Sequence, residues 1–137
     1  MALFNLFGKK DRGYASPWLQ LTVVYATARD GLEPDHAFAL RGKVIGSSPI
    51  DFEFKDSSTF IVFFRGSTEG LQAATHLAES LREYARDKSL SAFGVGVQQG
   101  ECLAQMSGTG RFAAKPAGTV IAQTMRLAVD EADSNAR

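Results

Sequence analysis

Apolar and polar side chains alternate along the stretch WLQLTVVYAT, residues 18–27. A period of two with β-branched residues predicts a strand with one face in the core. Two further β-rich runs, at 52–54 and 59–64, flank four polar residues. This arrangement predicts a β-hairpin that follows the first strand.

A second strand-rich region lies near residue 100. Residues 92–97 are small, apolar and β-branched, and they predict a strand. The polar residues 98–101 include Gly100, which tolerates a positive φ, so they predict a tight turn. Residues 102–106 are then expected to form the returning strand of a hairpin, followed by the connecting loop SGTG at 107–110.

Apolar residues recur at helical spacing in three segments. Residues 68–86 carry one apolar stripe with charged residues mostly off it, and Ser67 precedes them as an N-cap, so this segment predicts an amphipathic helix that packs on a sheet. Pro34 suits the first turn of another helix, which Gly42 is expected to end unless Val44 and Ile45 extend it. A last helix is predicted over residues 117–132.

The predicted order is β-α-β-β-α-β-β-α, and its first six elements spell the split βαβ pattern. We therefore expect an α+β protein with a ferredoxin-like antiparallel sheet and helices packed on one face. A C-terminal hairpin and helix extend that unit. The 137 residues suit one core, so residues 14–137 are predicted to form a single domain.

Residues 1–13 stand apart from the predicted domain as an N-terminal arm. Leu3, Phe4, Leu6 and Phe7 recur at helical spacing and are followed by two lysines. One interpretation is an arm that packs on this domain or on a partner subunit. The other is weak contact of residues 1–10 with a membrane surface, where basic residues lie near the headgroups.

Composition narrows the classes of partner and site. Lys+Arg and Asp+Glu number 15 each, and no basic cluster is visible, so nucleic acid is not an expected partner. Cys102 is the only cysteine, which excludes an intramolecular disulfide and a cysteine-rich metal site. Since no bilayer-spanning apolar run or signal-peptide pattern occurs, we expect a cytoplasmic protein, peripheral to the membrane if the arm binds lipid.

Several motifs resemble the catalytic domains of class III nucleotidyl (adenylate and guanylate) cyclases. GVGVQQGECLA at 94–104 resembles that family's G-I-x-x-G-x-V-x-A, and AGTVIAQTMRLA at 117–128 resembles its G-D-x-V-N-x-A-x-R-L. VVYATARDG at 23–31 and DSSTFIVFF at 56–64 resemble its first strand and second hairpin. The likeness spans residues 19–132 and implies the same order of elements, with degenerate site residues.

The resemblance implies a chemistry that this chain lacks in part. A class III cyclase uses two carboxylates to hold two metal ions, which activate the ribose hydroxyl and neutralise the leaving pyrophosphate. The positions that match these carboxylates hold Thr27 and Ser57, with Asp56 one place away. A neutral hydroxyl does not replace a carboxylate against a hard divalent cation. No metal or other cofactor is therefore expected.

Other positions of the family's site are also changed. The transition-state Asn matches Ala122, whereas the Arg is kept as Arg126. The base-selecting Lys and Asp match positions near Glu53 and at Lys115, with their charges reversed. Arg126 and Lys115 are thus candidate remnants of a phosphate or nucleotide contact. Alternatively, Arg126 lies four residues before Asp130 and forms an ordinary helix-surface pair.

These observations predict a non-catalytic cyclase-like domain that acts in protein association or regulation through dimerisation, with a second copy or another protein as partner. The family builds its sites between two subunits, so a pairing surface comes with the fold. Two alternatives remain at this point. One is a regulatory module that binds a nucleotide without turnover, and the other is a ferredoxin-like adaptor unrelated to nucleotides.

Overall fold

A computed structural model describes residues 18–136. In chain order, its strands and helices are β1 (Trp18–Ala28), α1 (Pro34–Gly46), β2 (Asp51–Asp56), β3 (Thr59–Arg65), α2 (Thr68–Asp87), β4 (Phe93–Leu103) and α3 (Thr119–Asn135). None of these described helices is both long enough and apolar enough to span a bilayer. The predicted arm at residues 1–13 lies outside the described residues, together with its docking candidates Leu3, Phe4, Leu6 and Phe7.

The four described strands form one antiparallel sheet in the order β2-β3-β1-β4. This is the predicted split βαβ arrangement, and the α+β fold class is confirmed. The central strands β1 and β3 are buried along most of their length. Successive side chains of a strand point to opposite faces, so a strand buried on every residue must be covered on both faces.

Helices α1 and α2 cover one face of the sheet. Val24 and Val62 of the central strands meet Leu40 of α1 and Leu77 of α2 in one buried cluster. The predicted stripe of α2 is confirmed as its buried side, and the Ser67 side chain caps the helix by accepting a hydrogen bond at 3.1 Å. The two helices of the split βαβ unit thus share a face, as expected.

Helix α3 covers the opposite face. Val23 and Ile61 of the sheet form a second buried cluster there with Val120 and Ala128 of α3. Glycines make the contact close, because a Cβ atom at Gly94 would overlap the backbone of α3. The sheet is consequently enclosed between α1 and α2 on one side and α3 on the other.

The predicted turn at 98–101 is wrong. Strand β4 runs without interruption to Leu103 and pairs residue by residue with β1 as far as Trp18. Gly100 makes no turn; it leaves room for Val120 of α3, whose side chain would meet a Cβ at that position. Tertiary packing thus overrides a local sequence that is typical of a turn.

The chain turns back later than predicted. Residues 104–117, which we call the strap, form an irregular hairpin with isolated bridges from Leu103 to Ala117 and from Met106 to Phe112. The strap then leads into α3, two residues later than the predicted helix start. Gly42 does not end α1, which continues to Gly46 because Val44 is buried in the core.

Candidate functional site

The positions that the resemblance matches to metal carboxylates lie at one end of the sheet. Thr27 of β1 pairs with Thr59 of β3, which pairs in turn with Asp56 of β2. The hydroxyl oxygens of Thr27 and Thr59 are 3.0 Å apart and share a hydrogen bond. This row of the sheet therefore presents two hydroxyls bonded to each other and one carboxylate.

Asp56 and Ser57 belong to the tight turn between β2 and β3. The Asp56 carboxylate accepts a hydrogen bond of 2.7 Å from the backbone N–H of Ser58. Aspartate side chains often hold turns in this way. Both Asp56 and Ser57 are exposed. One carboxylate oxygen thus stabilises the hairpin turn, and the hydroxyl of Ser57 lies at its tip.

A buried phenol lies on the same strand as Thr27. Tyr25 is only 5% exposed. Burial raises the pKa of its phenol, and the carboxylates of Asp56 and Glu53 raise that pKa further. Both the burial and the nearby carboxylates disfavour the negatively charged phenolate.

The two positions matched to base-selecting residues are in direct contact. Nζ of Lys115, on the strap, lies 2.7 Å from Oε2 of Glu53, on strand β2. Lys115 is well exposed, so the pair contributes little stability in water. Each charge nevertheless has the other as its partner. The two residues whose charges are reversed relative to the family pattern thus form an ion pair with each other.

A second ion pair attaches the strap to β2. The Asp51 carboxylate accepts hydrogen bonds from the Arg111 guanidinium at 3.1 Å and from the backbone N–H of Phe112 at 3.3 Å. The ring of Phe112 packs edge-on against Phe63, with centroids 5.3 Å apart. Between strap and sheet remains a cavity of about 220 Å³, lined by Asp51, Phe52, Glu53, Phe63, Phe112, Ala114, Lys115 and Pro116.

The attachment of the strap is expected to weaken in acid. Burial works to raise the pKa of Asp51, but the hydrogen bonds from Arg111 and from two backbone N–H groups outweigh it and hold the pKa below its ordinary value of 3.8. A lowered folded-state pKa gives stability that is present above the unfolded-state pKa and lost as the pH falls through the folded-state pKa.

We therefore expect urea unfolding to show that Asp51→Asn reduces stability at pH 7 and has a smaller effect near pH 3. Asp130→Asn, which changes an exposed carboxylate on α3, is the matched control and should leave stability nearly unchanged at both pH values. An Asp51→Asn effect that is equally large at pH 7 and pH 3 would contradict this assignment.

Arg126 lies apart from the row of Thr27 and Asp56. It is exposed on α3, on the side away from the buried residues Thr124 and Ala128. Within residues 18–136 it forms no ion pair shorter than 4.0 Å, so the predicted pair with Asp130 is not formed. Arg126 therefore points outward from the domain and does not contact the other candidate residues.

The sequence interpretation missed Arg82 of α2. Its guanidinium donates to both carboxylate oxygens of Glu131 on α3, at 2.9 and 3.0 Å, and to the carbonyl of Val95 at 2.8 Å. The hydrogen bond to Glu131 is the main reason that the pKa of Arg82 is raised. These helices lie on opposite faces, so the pair spans the outer edge of β4. Residues 82 and 131 are 49 positions apart, and no local pattern links them.

A thiol and a glycine-containing loop lie elsewhere in the described structure. Cys102 is fully buried, and burial raises the pKa of its thiol, so the side chain stays protonated and packs as a small apolar group. The Gly108–Gly110 loop forms the turn of the strap, where the Ser107 and Thr109 hydroxyls are hydrogen-bonded at 2.6 Å. Both findings agree with a structural role for these segments.

Comparison with known proteins gives a likeness of fold. No family model and no curated protein matches the sequence. Among solved structures, the guanylyl cyclase Cya2 is similar at a TM-score of 0.58 and 12% identity, with 80% of this chain and 68% of that chain covered. Structures of a bacterial light-regulated adenylyl cyclase are similar at a TM-score of 0.50 and 10% identity, covering 81% of this chain and 40% of theirs. The described chain therefore has the α+β fold of these adenylyl and guanylyl cyclase structures.

Proposed function

We propose that this chain is a non-catalytic cyclase-homology domain that acts by association of two copies. The observation that carries the proposal is the hydroxyl pair of Thr27 and Thr59, 3.0 Å apart, in the row where the resemblance implies a carboxylate. Hard divalent cations take anionic oxygens as their main ligands. Asp56 supplies a carboxylate there, and it is already bonded to its own turn.

The electrostatics of the row support the same proposal. Cyclisation of a nucleoside triphosphate depends on metal ions that neutralise the charge of its phosphates. Burial raises the pKa of Tyr25, and the Asp56 and Glu53 carboxylates raise it further. These two carboxylates would repel a phosphate group that arrives without its metal ions. The contact of Lys115 with Glu53 also leaves the nearby cation already paired.

Apolar side chains on α3 support the proposed association. The inner side of this helix is buried, and Met125 and Val129, which border that side, are 41% and 40% exposed, with Ala122 exposed beside them. We call Ala122, Met125, Arg126 and Val129 the outer α3 face. An apolar stripe that extends from the buried side onto the exposed side of a helix is typical of a surface that a partner covers. Self-association would cover this face and bring Arg126 of each copy to the interface.

Sedimentation tests the association. Met125→Glu/Val129→Glu is expected to weaken self-association by about a hundredfold, or about 2.7 kcal/mol, since it places two charges in an apolar contact. Gln123→Glu/Ser134→Glu adds the same charge at exposed positions of α3 outside the outer face and should associate like the unchanged protein. A monomeric unchanged protein at high micromolar concentration, or equal dissociation of both variants, would contradict the proposal.

The same samples test the lack of turnover. With ATP or GTP and Mn²⁺, the unchanged protein is expected to form no cyclic mononucleotide above the level of a heat-denatured sample. Thr27→Asp/Ser57→Asp is expected to gain Mn²⁺ binding that the unchanged protein lacks, as measured by calorimetry. Cyclic product from the unchanged dimer, lost in Arg126→Ala, would show that the site is catalytic.

A further inference from the structure

A cavity lies where the C-terminal ends of α2 and α3 meet the start of β4. Its volume is about 540 Å³, which is in the range of small-molecule sites. The Arg82–Glu131 ion pair is part of its wall. The Asn135 side chain donates to the Phe93 carbonyl at 3.0 Å and so holds the end of α3 beside the strand. Contacts between secondary-structure elements therefore fix the shape of this cavity.

The lining of the cavity carries one positive charge without an opposite partner. Its charged residues are Arg82, Arg86 and Glu131. Arg82 is paired with Glu131 at 2.9 Å. Arg86 lies one turn later on α2 and has no carboxylate within 4.0 Å in the part of the chain that the structure describes. An anion that enters the cavity would therefore meet a free guanidinium.

Two hydroxyls from the connection between α2 and β4 line the same cavity. They belong to Ser89 and Ser91. Within the described residues, neither side chain forms a hydrogen bond. A carboxylate accepts hydrogen bonds from hydroxyls and, more strongly, from the planar fork of an arginine. Arg86 and the two serines thus give the cavity a set of donors that suits a carboxylate.

The backbone at Ser89 is unusual for a serine. Its φ is +59°, in the left-handed region that glycine adopts more easily. The Ser89 N–H donates to the Arg86 carbonyl at 3.2 Å, and the Leu90 N–H donates to the Ala85 carbonyl at 2.8 Å. Glycine is the common residue at such a helix end. Serine is thus less favourable than glycine for the backbone here, and a ligand that bonds its hydroxyl would account for it.

We propose that this cavity binds a small carboxylate with an apolar body. The carboxylate would accept from Arg86 and the two serine hydroxyls, and the body would lie against Ala85 and Leu90, which are apolar parts of the lining. One uncompensated charge in the lining favours a monoanion. This proposal does not rest on the proposed function, and it concerns a different surface from the outer α3 face.

An NMR titration of the full chain with phenylacetate tests the proposal. The amide resonances of residues 89–91 are expected to shift. Arg86→Ala is expected to weaken binding about tenfold, because a charge-assisted hydrogen bond is lost. Neutral phenylacetamide, which has the same shape, should bind the unchanged protein about tenfold more weakly for the same reason. Arg65→Ala removes an exposed arginine at the opposite end of the sheet and is the matched control, with unchanged affinity expected.

A substitution at Ser89 separates binding from helix ending. Ser89→Gly is expected to raise the urea midpoint, since glycine suits the positive φ, and yet to weaken phenylacetate binding. Ser48→Gly, at a φ of +56° just after α1, should raise the midpoint and leave the affinity unchanged. Unchanged affinity in Ser89→Gly would overturn the role of its hydroxyl.

Three other outcomes would overturn the site as a whole. The first is equal affinity for phenylacetate and phenylacetamide, which would show that no cation reads the carboxylate. The second is unchanged phenylacetate affinity in Arg86→Ala. The third is the absence of shifts at residues 89–91 at millimolar phenylacetate.

Discussion

Gly94→Ala is expected to lower the free energy of unfolding by about 3 kcal/mol, although it adds a single methyl group. The new Cβ would overlap the carbonyl oxygen of Ala128 and the amide nitrogen of Ala132. Both are backbone atoms of α3, so they move only if the helix moves. Because α3 covers one whole side of the core, its displacement exposes the cluster around Val23 and Ile61.

Substitutions at two further glycines are the controls. The free energy of unfolding of all three variants is measured by urea unfolding. A Cβ at Gly100 meets only the side chain of Val120, at 2.9 Å, so Gly100→Ala should cost about 1 kcal/mol. Nothing lies within 4 Å of a Cβ at Gly42, inside α1, and Gly42→Ala should stabilise by about 0.5–1 kcal/mol. If Gly94→Ala were as stable as Gly42→Ala, the close contact of α3 with β4 would be wrong.

These glycines also show which parts of the fold can be predicted from the sequence and which cannot. Element order and the core side of α2 followed from periodicity, since each depends on residues close together in the chain. The stretch at 98–101 is polar and contains a glycine, which locally favours a turn. Gly100 could serve either to adopt a positive φ or to leave space for the Val120 side chain. Which of the two holds depends on α3, which lies 20 residues later. Local patterns carry no information on that contact.

The candidate site divides in the same way. The resemblance singled out Thr27, Asp56, Glu53 and Lys115, and the structure places the first two in one row of the sheet and the last two in direct contact. The resemblance gave no sign of the Asp51–Arg111 pair, whose residues are 60 positions apart. Charges that meet only in three dimensions look like ordinary surface residues in a sequence. Their partners become evident only once the strap is seen folded against β2.

Arg82 illustrates the same point and leads to the second large effect. Arg82→Ala is expected to lower the free energy of unfolding by about 2–3 kcal/mol, because it leaves the Glu131 carboxylate and the Val95 carbonyl without their donor. Arg82 and Glu131 are 29% and 28% exposed, so water replaces the lost bonds only in part. Removing the pair also uncovers the edge of β4 at Val95, where Glu131 accepts from the backbone N–H.

A double-mutant cycle separates this coupling from lost packing. If Arg82 and Glu131 act together, Arg82→Ala/Glu131→Gln should be no less stable than Arg82→Ala, with a coupling energy of about 1.5 kcal/mol from urea unfolding. Arg86→Ala, one turn later on the exposed side of α2, is the matched control and should change stability by less than about 0.5 kcal/mol. Strictly additive effects of the two substitutions would mean that the ion pair does not couple α2 to α3.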